Sequence, residues 1–430
     1  MADVRSIRVE MLARVEGEGA LEIDIENGAV ESVRLNIFEP PRLFEAFMRG
    51  RAATEAPDIA ARICGICPVA YQMSATHAVE SIYGILPSPE IAGLRRLLYC
   101  GEYIESHVLH MALLHAPDFL GFEDGIAMAA EHGELVVRAL DAKKTGNALM
   151  ILLGGREIHP INVRVGGFYK VPTKAELAKL LPGLARARDT AVAMLRWAAT
   201  FEFPNVEGDW ELVSLRHPTD YPLIEGRIVS TSGVDISADE FETVFQETHV
   251  AHSNALQGSV RARGAYLTGP LARYALNFDR LPAHIQALAR EAGLGPVCRN
   301  PFKSILVRGI ETVYAAEEAM RLISTYTQPK AAGVKVVPRA GSGAWATEAP
   351  RGMLWHRYEV DDEGTIKTAR IVPPTAQNQP AIEADLLEVA RLHVDDDDET
   401  LKLACEASVR NHDPCISCAT HFLKLTVNRR

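Results

Sequence analysis

The chain lacks any apolar run of the roughly 18 residues that a membrane-crossing helix needs. Met1 to Arg14 carries no apolar core of the secretory kind. Positive charge is not in excess either: 45 Lys and Arg stand against 56 Asp and Glu, a net charge of −11. That excludes the usual nucleic-acid partner, because phosphate is bound through a surplus of basic side chains. No internal repeat and no low-complexity linker interrupts the chain. Cysteine is scarce and odd in number, seven in 430 residues, so a disulfide framework is not indicated. A cytoplasmic protein with no membrane span is expected.

What is present suffices for a large core: 47% of residues are hydrophobic and 23% charged. Length alone suggests two or three domains. Four of the cysteines, however, form two Cys-x-x-Cys pairs near opposite ends, Cys64-Gly65-Ile66-Cys67 and Cys415-Ile416-Ser417-Cys418. This points to residues 1–430 acting as one interdependent unit. A two-residue spacer lets both sulfurs of a pair face one point. Spacing alone leaves three readings open: a structural zinc site, a dithiol-exchange motif with the second pair idle, or a catalytic soft-metal centre. Charged flanks (Arg62, Asp413, His421 and, farther off, Glu16, Glu45 and Arg351) are more than a structural zinc requires. Cys100, Cys298 and Cys405 read as buried small apolar residues.

Periodicity divides the chain coarsely. Residues 1–40 read as β-rich, with a hairpin at Asn27-Gly28 between alternating runs. Residues 41–332 read as mainly helical. Helices are expected from Cys64 to Leu86, from Leu94 to Leu114 stopping before Pro117, and across Ala175 to Phe201 with a break at Pro182-Gly183. Further helices are expected at Ala238 to Asn254, Leu281 to Ala292 and Ala315 to Tyr326. Residues 333–380 read as strand and turn, with strands at Val334 to Val337, Tyr358 to Val360 and Thr365 to Val372. Residues 381–421 hold a C-terminal helix, capped by the acidic run from Asp395, and the second cysteine pair. Gly341-Ser342-Gly343-Ala344-Trp345-Ala346 mimics a dinucleotide fingerprint, but Pro338 and Pro350 leave no room for the helix it needs, so it is rejected.

Arg62-x-Cys64-Gly65-x-Cys67 together with Asp413-Pro414-Cys415-x-x-Cys418-x-x-His421 resembles the signature pair of the nickel–iron hydrogenase large, catalytic subunits. The likeness runs from about Arg14 to His421. Cys67-Pro68-Val69-Ala70-Tyr71 and the short length are most similar to the soluble cytoplasmic class that works with NAD(P) or a deazaflavin. The resemblance implies a mainly α (α+β) fold, a helix-bundle core with small peripheral β-sheets. It implies reversible cleavage of H2 into protons and electrons. Cys64, Cys67, Cys415 and Cys418 would hold nickel, and Cys67 and Cys418 would bridge to an iron carrying carbon monoxide and cyanide. Glu16 would relay the proton. Arg351 would line the hydrogen-binding face, with Asp118 and Asp413 beside it. Thr375 would contact a cyanide, in place of the hydroxyl lost at Pro374. Glu45 and His421, with a carbonyl near Arg370, would bind a second ion, Mg2+ or Fe2+. No iron–sulfur cluster is expected in this chain, so a small iron–sulfur subunit and NAD(P)-reducing (diaphorase) subunits would be partners. Tyr71 stands where many members have histidine. The segment 422–430 matches a tail that some members lose.

Read without the resemblance, Glu16 is a solvated strand residue, Asp118 a turn residue and Arg351 a surface ion-pair partner. His107 and His110 would be core histidines on one helix face. The competing classes are a metal-free structural and quinone-binding subunit of a respiratory complex, whose kind lacks these cysteines, and a zinc-stapled structural protein.

Overall fold

The structure, a computed structural model, describes residues 4–420. Gly19–Glu26 and Ala29–Ile37 pair antiparallel, with Leu21, Ile23 and Leu35 buried on the face the alternation marks out. Asn27 and Gly28 take φ of 51° and 78°, the double left-handed turn that matches strand twist. Val4–Val9 adds a third strand along the free edge of Gly19–Glu26.

Four long helices form the bundle: Pro89–Leu109, Gly125–Gly154, Leu181–Ala198 and Ser304–Ser324. The first packs on the second and fourth, and the third packs on the same two. The Pro68–Tyr83 helix lies instead on a three-stranded antiparallel meander, Gly341–Ala349, Gly352–Val360 and Ile366–Val372. Pro374–Leu392 and Asp398–Asn411 pack together, and the former also covers the strand Ala29–Ile37. The chain's two ends thereby share one apolar cluster, in which Leu21 and Ile23 meet Leu401, Val409 and Ile416.

Several expectations need correction. The helix expected to stop before Pro117 widens into a π-helical turn, His110–His115, and continues to Leu120. Proline lacks an N–H and its ring crowds the carbonyl four residues back, and widening the turn relieves both. Ala238 to Asn254 is not a helix. It is a short 3-10 turn, Ala238–Glu240, one helical turn, Phe241–Val244, and a strand, Phe245–His249, paired with Leu256–Val260. Phe241 stacks at 4.7 Å on both Phe245 and Trp355, so tertiary packing overrides the local pattern. Val334 to Val337 forms no strand. The Gly333–Gly167 bridge and the Val334 N–H to Gly166 hold that stretch in place of a strand ladder, and Pro338 ends it.

The helical span Gly125–Gly154, kinked at His132 where φ is −115° and ψ 30°, escaped the periodicity reading. Its interior glycines weaken the helical signal, while Asp124 caps it by accepting from the N–H groups of Ile126 and Ala127 at 2.8 and 2.7 Å. The mainly helical stretch 41–332 also contains a four-stranded sheet, in the order Tyr266–Leu267, Glu211–Arg216, Arg227–Ser230, Asp235–Ile236. The helix Pro374–Leu392 begins inside the stretch read as strand and turn, so two long helices, not one, close the chain. The glycine-rich decoy is the strand Gly341–Ala349, which gives no strand-to-helix turn for a phosphate.

Candidate metal centre

Each cysteine pair lies in the turn that opens a helix. Cys67 immediately precedes Pro68–Tyr83, and Pro68 takes the first helical position, where a missing N–H costs nothing. The N–H groups of Ile66 and Cys67 donate to Cys64 Sγ at 3.3 and 3.2 Å, a setting that favours thiolate. Glu102, fully buried, accepts from the next two amides, Val69 at 2.6 Å and Ala70 at 3.1 Å. Cys415 precedes the short helix Ile416–Ala419, and its N–H donates to Thr375 Oγ1 at 2.9 Å. Arg42 ties the two turns together, donating to the carbonyls of Ile63 and Ser417.

The four sulfurs lie within 4.8 Å of one another, and all four residues are buried. Cys64 Sγ is 3.5 Å from Cys415 Sγ, Cys67 Sγ is 3.9 Å from Cys418 Sγ, and Cys415 and Cys418 are 2.7 Å apart. Burial and S–H contacts with its neighbours push Cys415 well above the ordinary thiol range. Cys64 is brought well below that range although burial opposes it, because the other three sulfurs and Arg351 face it. Four soft donors this close, removed from water, suit a thiophilic transition metal, whose charge would offset their repulsion. Because both pairs enter one pocket, a dithiol-exchange pair with the other idle does not fit.

The surroundings are charged. Arg351, 2% exposed, donates from Nε to the Asp413 carbonyl at 2.9 Å and from Nη2 to Asp413 Oδ1 at 3.0 Å. Burial works against its charge, but Asp413 and then Cys415, Cys67 and Cys64 more than compensate. Asp413 is itself pushed up by burial, with Arg351 pulling the other way. Its φ of 51° is left-handed, a conformation that costs most L-residues about 1 kcal/mol and that aspartate tolerates better. Beneath Arg351, Arg273 is fully buried between Glu311 and Glu348 and donates to the carbonyls of Ala349 and Pro350. The turn before Arg351 is therefore anchored by charge-assisted bonds.

Glu16 lies at the opposite side of the tail. Cys415 Sγ–H donates to Glu16 Oε2 at 3.1 Å, as does the Ser417 N–H at the same distance. Tyr71 faces Cys418, and its phenol is held well above its usual range by burial and then by the charges of Cys418, Cys67 and Cys415. It remains a donor beside sulfur. Asp118, expected beside Arg351, instead accepts from Arg410 Nε and Nη2, both at 2.8 Å, and from Arg14 Nη2 at 2.5 Å. Two guanidinium groups already occupy its oxygens, so it joins the Glu16 loop to the helix that leads into Asp413. Glu45, in the helix Phe44–Met48, is buried and accepts from Ile371 N–H at 2.8 Å, next to Arg370. His421 lies outside the described residues, as does the tail 422–430.

Sequence reasoning missed Arg42, Glu39, Glu102, Glu105 and Ser106. Glu105 is buried with Lys143 Nζ at 3.3 Å; burial, opposed by Lys143, pushes its carboxyl up to about 7. Ser106 Oγ lies 3.5 Å from Arg351 Nη1. For Ser106 the signal was its place beside His107 in the helical stretch that ends at His110; Arg42 and Glu39 gave none, since they meet Ser417 far along the chain.

Comparison with known proteins gives the following. The family model described as nickel-dependent hydrogenase matches residues 42–134 and 265–421. Sulfhydrogenase 1 subunit alpha of Pyrococcus furiosus is 34% identical over 423 residues, covering 97% of this chain and 98% of its own length. The NAD-reducing hydrogenase HoxS subunit beta of Cupriavidus necator is 27% identical over 468 residues, covering 97% and 95%. The crystal structure of an NAD+-reducing NiFe-hydrogenase in the H2-reduced state superposes with a TM-score of 0.87 at 27% identity, over 97% of this chain and 99% of that one. The Ni-Fe-Se hydrogenase from D. vulgaris Hildenborough shares the fold at a TM-score of 0.80 and 22% identity, over 97% and 100%.

Proposed function

Because this chain belongs to the nickel-dependent hydrogenase family, as a large catalytic subunit, we propose that it cleaves H2 reversibly and heterolytically at a nickel–iron centre held by Cys64, Cys67, Cys415 and Cys418. The observation that carries this reading is the meeting of four buried sulfurs with a carboxylate on one and a buried arginine facing several. When bound, the centre supplies a soft, redox-active site whose iron, in this reading, carries carbon monoxide and cyanide.

The chain's own residues do the rest. Cleavage of H2 yields two protons and two electrons in all: the centre would supply the acceptor for the electrons, and the protons would pass in turn to the Cys415 sulfur and from there to Glu16, which is already within hydrogen-bond reach. Arg351 keeps a fixed positive fork at the reacting face, and Asp413 holds it in place. Thr375, by accepting from the Cys415 amide, orients that sulfur and offers its hydroxyl to a cyanide. Asp118 positions the Arg14 and Arg410 segments on either side. Glu45, with His421 and the Arg370 carbonyl, is the candidate shell for a second ion, Mg2+ or Fe2+.

Electrons need a conductor. Cys100, Cys298 and Cys405 are each buried and take no part in the four-sulfur pocket. A small iron–sulfur subunit is therefore the proposed acceptor, followed by NAD(P)-reducing subunits such as the name of the C. necator relative suggests. No helix among the described residues is long and apolar enough to cross a membrane, which agrees with a cytoplasmic assembly. The deciding measurement is metal analysis with infrared spectroscopy of the purified complex. Nickel together with carbon monoxide and cyanide stretching bands is the expected result. Zinc alone, with no such bands, would overturn the reading.

A further inference from the structure

We propose that Ser417 and Glu39 carry protons between Glu16 and solvent. This rests on the proton role given to Glu16 above. Ser417 belongs to the turn between Cys415 and Cys418 and faces two carboxylates at once. Its N–H donates to Glu16 Oε2 at 3.1 Å, and its hydroxyl donates to Glu39 Oε2 at 2.9 Å. Glu39 follows the strand Ala29–Ile37 and is fixed from the other side by the Glu18 N–H at 3.2 Å. Its second oxygen looks toward Arg42 Nε, 3.9 Å away; the Glu39 side chain is 14% exposed and that of Arg42 32%. The line from Cys415 to Glu39 thus starts in the buried sulfur pocket and ends at the surface.

The backbone is shaped for this contact. Gly17 has φ of 90°, and a Cβ there would stand 2.6 Å from Glu39 Oε2 and 2.7 Å from Ile416 Cβ. Any side chain at position 17 would displace either the Glu39 carboxylate or the cysteine turn.

The transfer balances without a co-reactant. Because the Glu16 contact to Ser417 is made by the N–H and not by the hydroxyl, protonated Glu16 gives its proton to Ser417 Oγ through one water. In the same event the Ser417 hydroxyl proton passes to Glu39, so serine ends as it began and the negative charge moves from Glu39 to Glu16. Glu39 then releases the proton to water. The opposite order serves H2 formation.

The test uses Ser417→Ala, Ser417→Thr and Glu39→Gln in the assembled, metal-loaded complex. Ser417→Ala removes the hydroxyl but keeps the amide that holds Glu16. The readouts are hydrogen/deuterium exchange in heavy water, the carbon monoxide and cyanide bands, and the carboxyl C=O band in H2O-minus-D2O infrared difference spectra. Expected are a fall in exchange of about 10²-fold for Ser417→Ala and Glu39→Gln, recovery in Ser417→Thr, unchanged metal-ligand bands, and loss of one carboxyl band in Glu39→Gln. Unchanged exchange in both disabling variants, with the bands intact, overturns the route while leaving the hydrogenase reading standing. Absence of the bands and of exchange in the unaltered protein would instead overturn the hydrogenase reading itself. If Ser417→Ala fails to load metal, Glu39→Gln, which changes no residue of the cysteine turn and keeps an oxygen to accept from the Ser417 hydroxyl, decides alone.

Discussion

Cys415 and Glu16 are joined twice. Their backbones form a parallel bridge, with the Ile416 N–H on the Glu16 carbonyl at 2.9 Å. Their side chains meet at 3.1 Å across 399 positions of sequence. The backbone bond fixes which residue of the N-terminal loop lies beside the sulfur, so the side-chain contact does not depend on a rotamer choice alone. Such prior placement lowers the cost of a proton transfer that would otherwise need both groups to find each other.

Replacing Glu16 by Gln separates holding from transfer. The amide oxygen still accepts from Ser417 N–H, but it takes no proton at working pH. Metal content and infrared bands should stay as they are, while hydrogen/deuterium exchange in heavy water falls by about 10²-fold or more. Exchange at the original rate would remove Glu16 from the proton route.

At Arg351 the test is Arg351→Lys. An ammonium keeps the charge but carries its donors on one nitrogen, so it cannot reproduce the planar fork in which Nε meets the Asp413 carbonyl and Nη2 meets Asp413 Oδ1. A loss of about 10²-fold in turnover is expected, the usual cost of one preorganised donor, with nickel retained. Turnover equal to the unaltered complex would show that charge alone suffices there.

The sequence reading located the hairpin, the helix behind Cys67 and the four sulfurs, because each depends on short-range signals: Asn-Gly, Pro at a first helical position, and paired thiols. It misplaced Asp118. Spacing along a chain does not reveal which of several buried arginines claims a carboxylate, and Arg410 arrives from 292 positions away. Glu39 and Arg42 were invisible for the same reason: both meet Ser417, 378 and 375 positions away. The strand at Phe245–His249 was lost to a helical pattern because its stability comes from the packing of Phe245 on Phe241 and Tyr266 and from the pairing with Leu256–Val260.

Asp118→Ala probes the link between the Glu16 loop and the helix that leads into Asp413. It leaves Arg410, 1% exposed, with Glu406 as its remaining acidic partner. Removing one partner of a buried pair costs about 3–5 kcal/mol. The measured effects should be a lower unfolding midpoint and faster release of nickel. Asp118→Asn keeps the shape and should lie between. A midpoint unchanged in both variants would show that the Arg14 and Arg410 segments are held by other contacts.

The buried histidines make stability fall with acid. His115, whose Nε2 bonds to Asn411 Oδ1 at 2.8 Å, is lowered from 6.5 to about 3 by burial, against the pull of Asp118. His107 is lowered from 6.5 to about 4 by burial, against its bond to Glu311. Both bind a proton more tightly unfolded than folded. Their contribution is therefore complete above pH 6.5 and is lost as pH drops toward the folded values. Each histidine contributes a slope of about 1.4 kcal/mol per pH unit within that window. Denaturant midpoints taken from pH 7.5 to pH 5 should decline steeply below 6.5, and His115→Gln should remove one histidine's share of the slope. Other groups titrate alike in every variant, so the difference between His115→Gln and the unaltered chain isolates the histidine. Parallel profiles for the two would show that His115 does not titrate between the folded and unfolded chain.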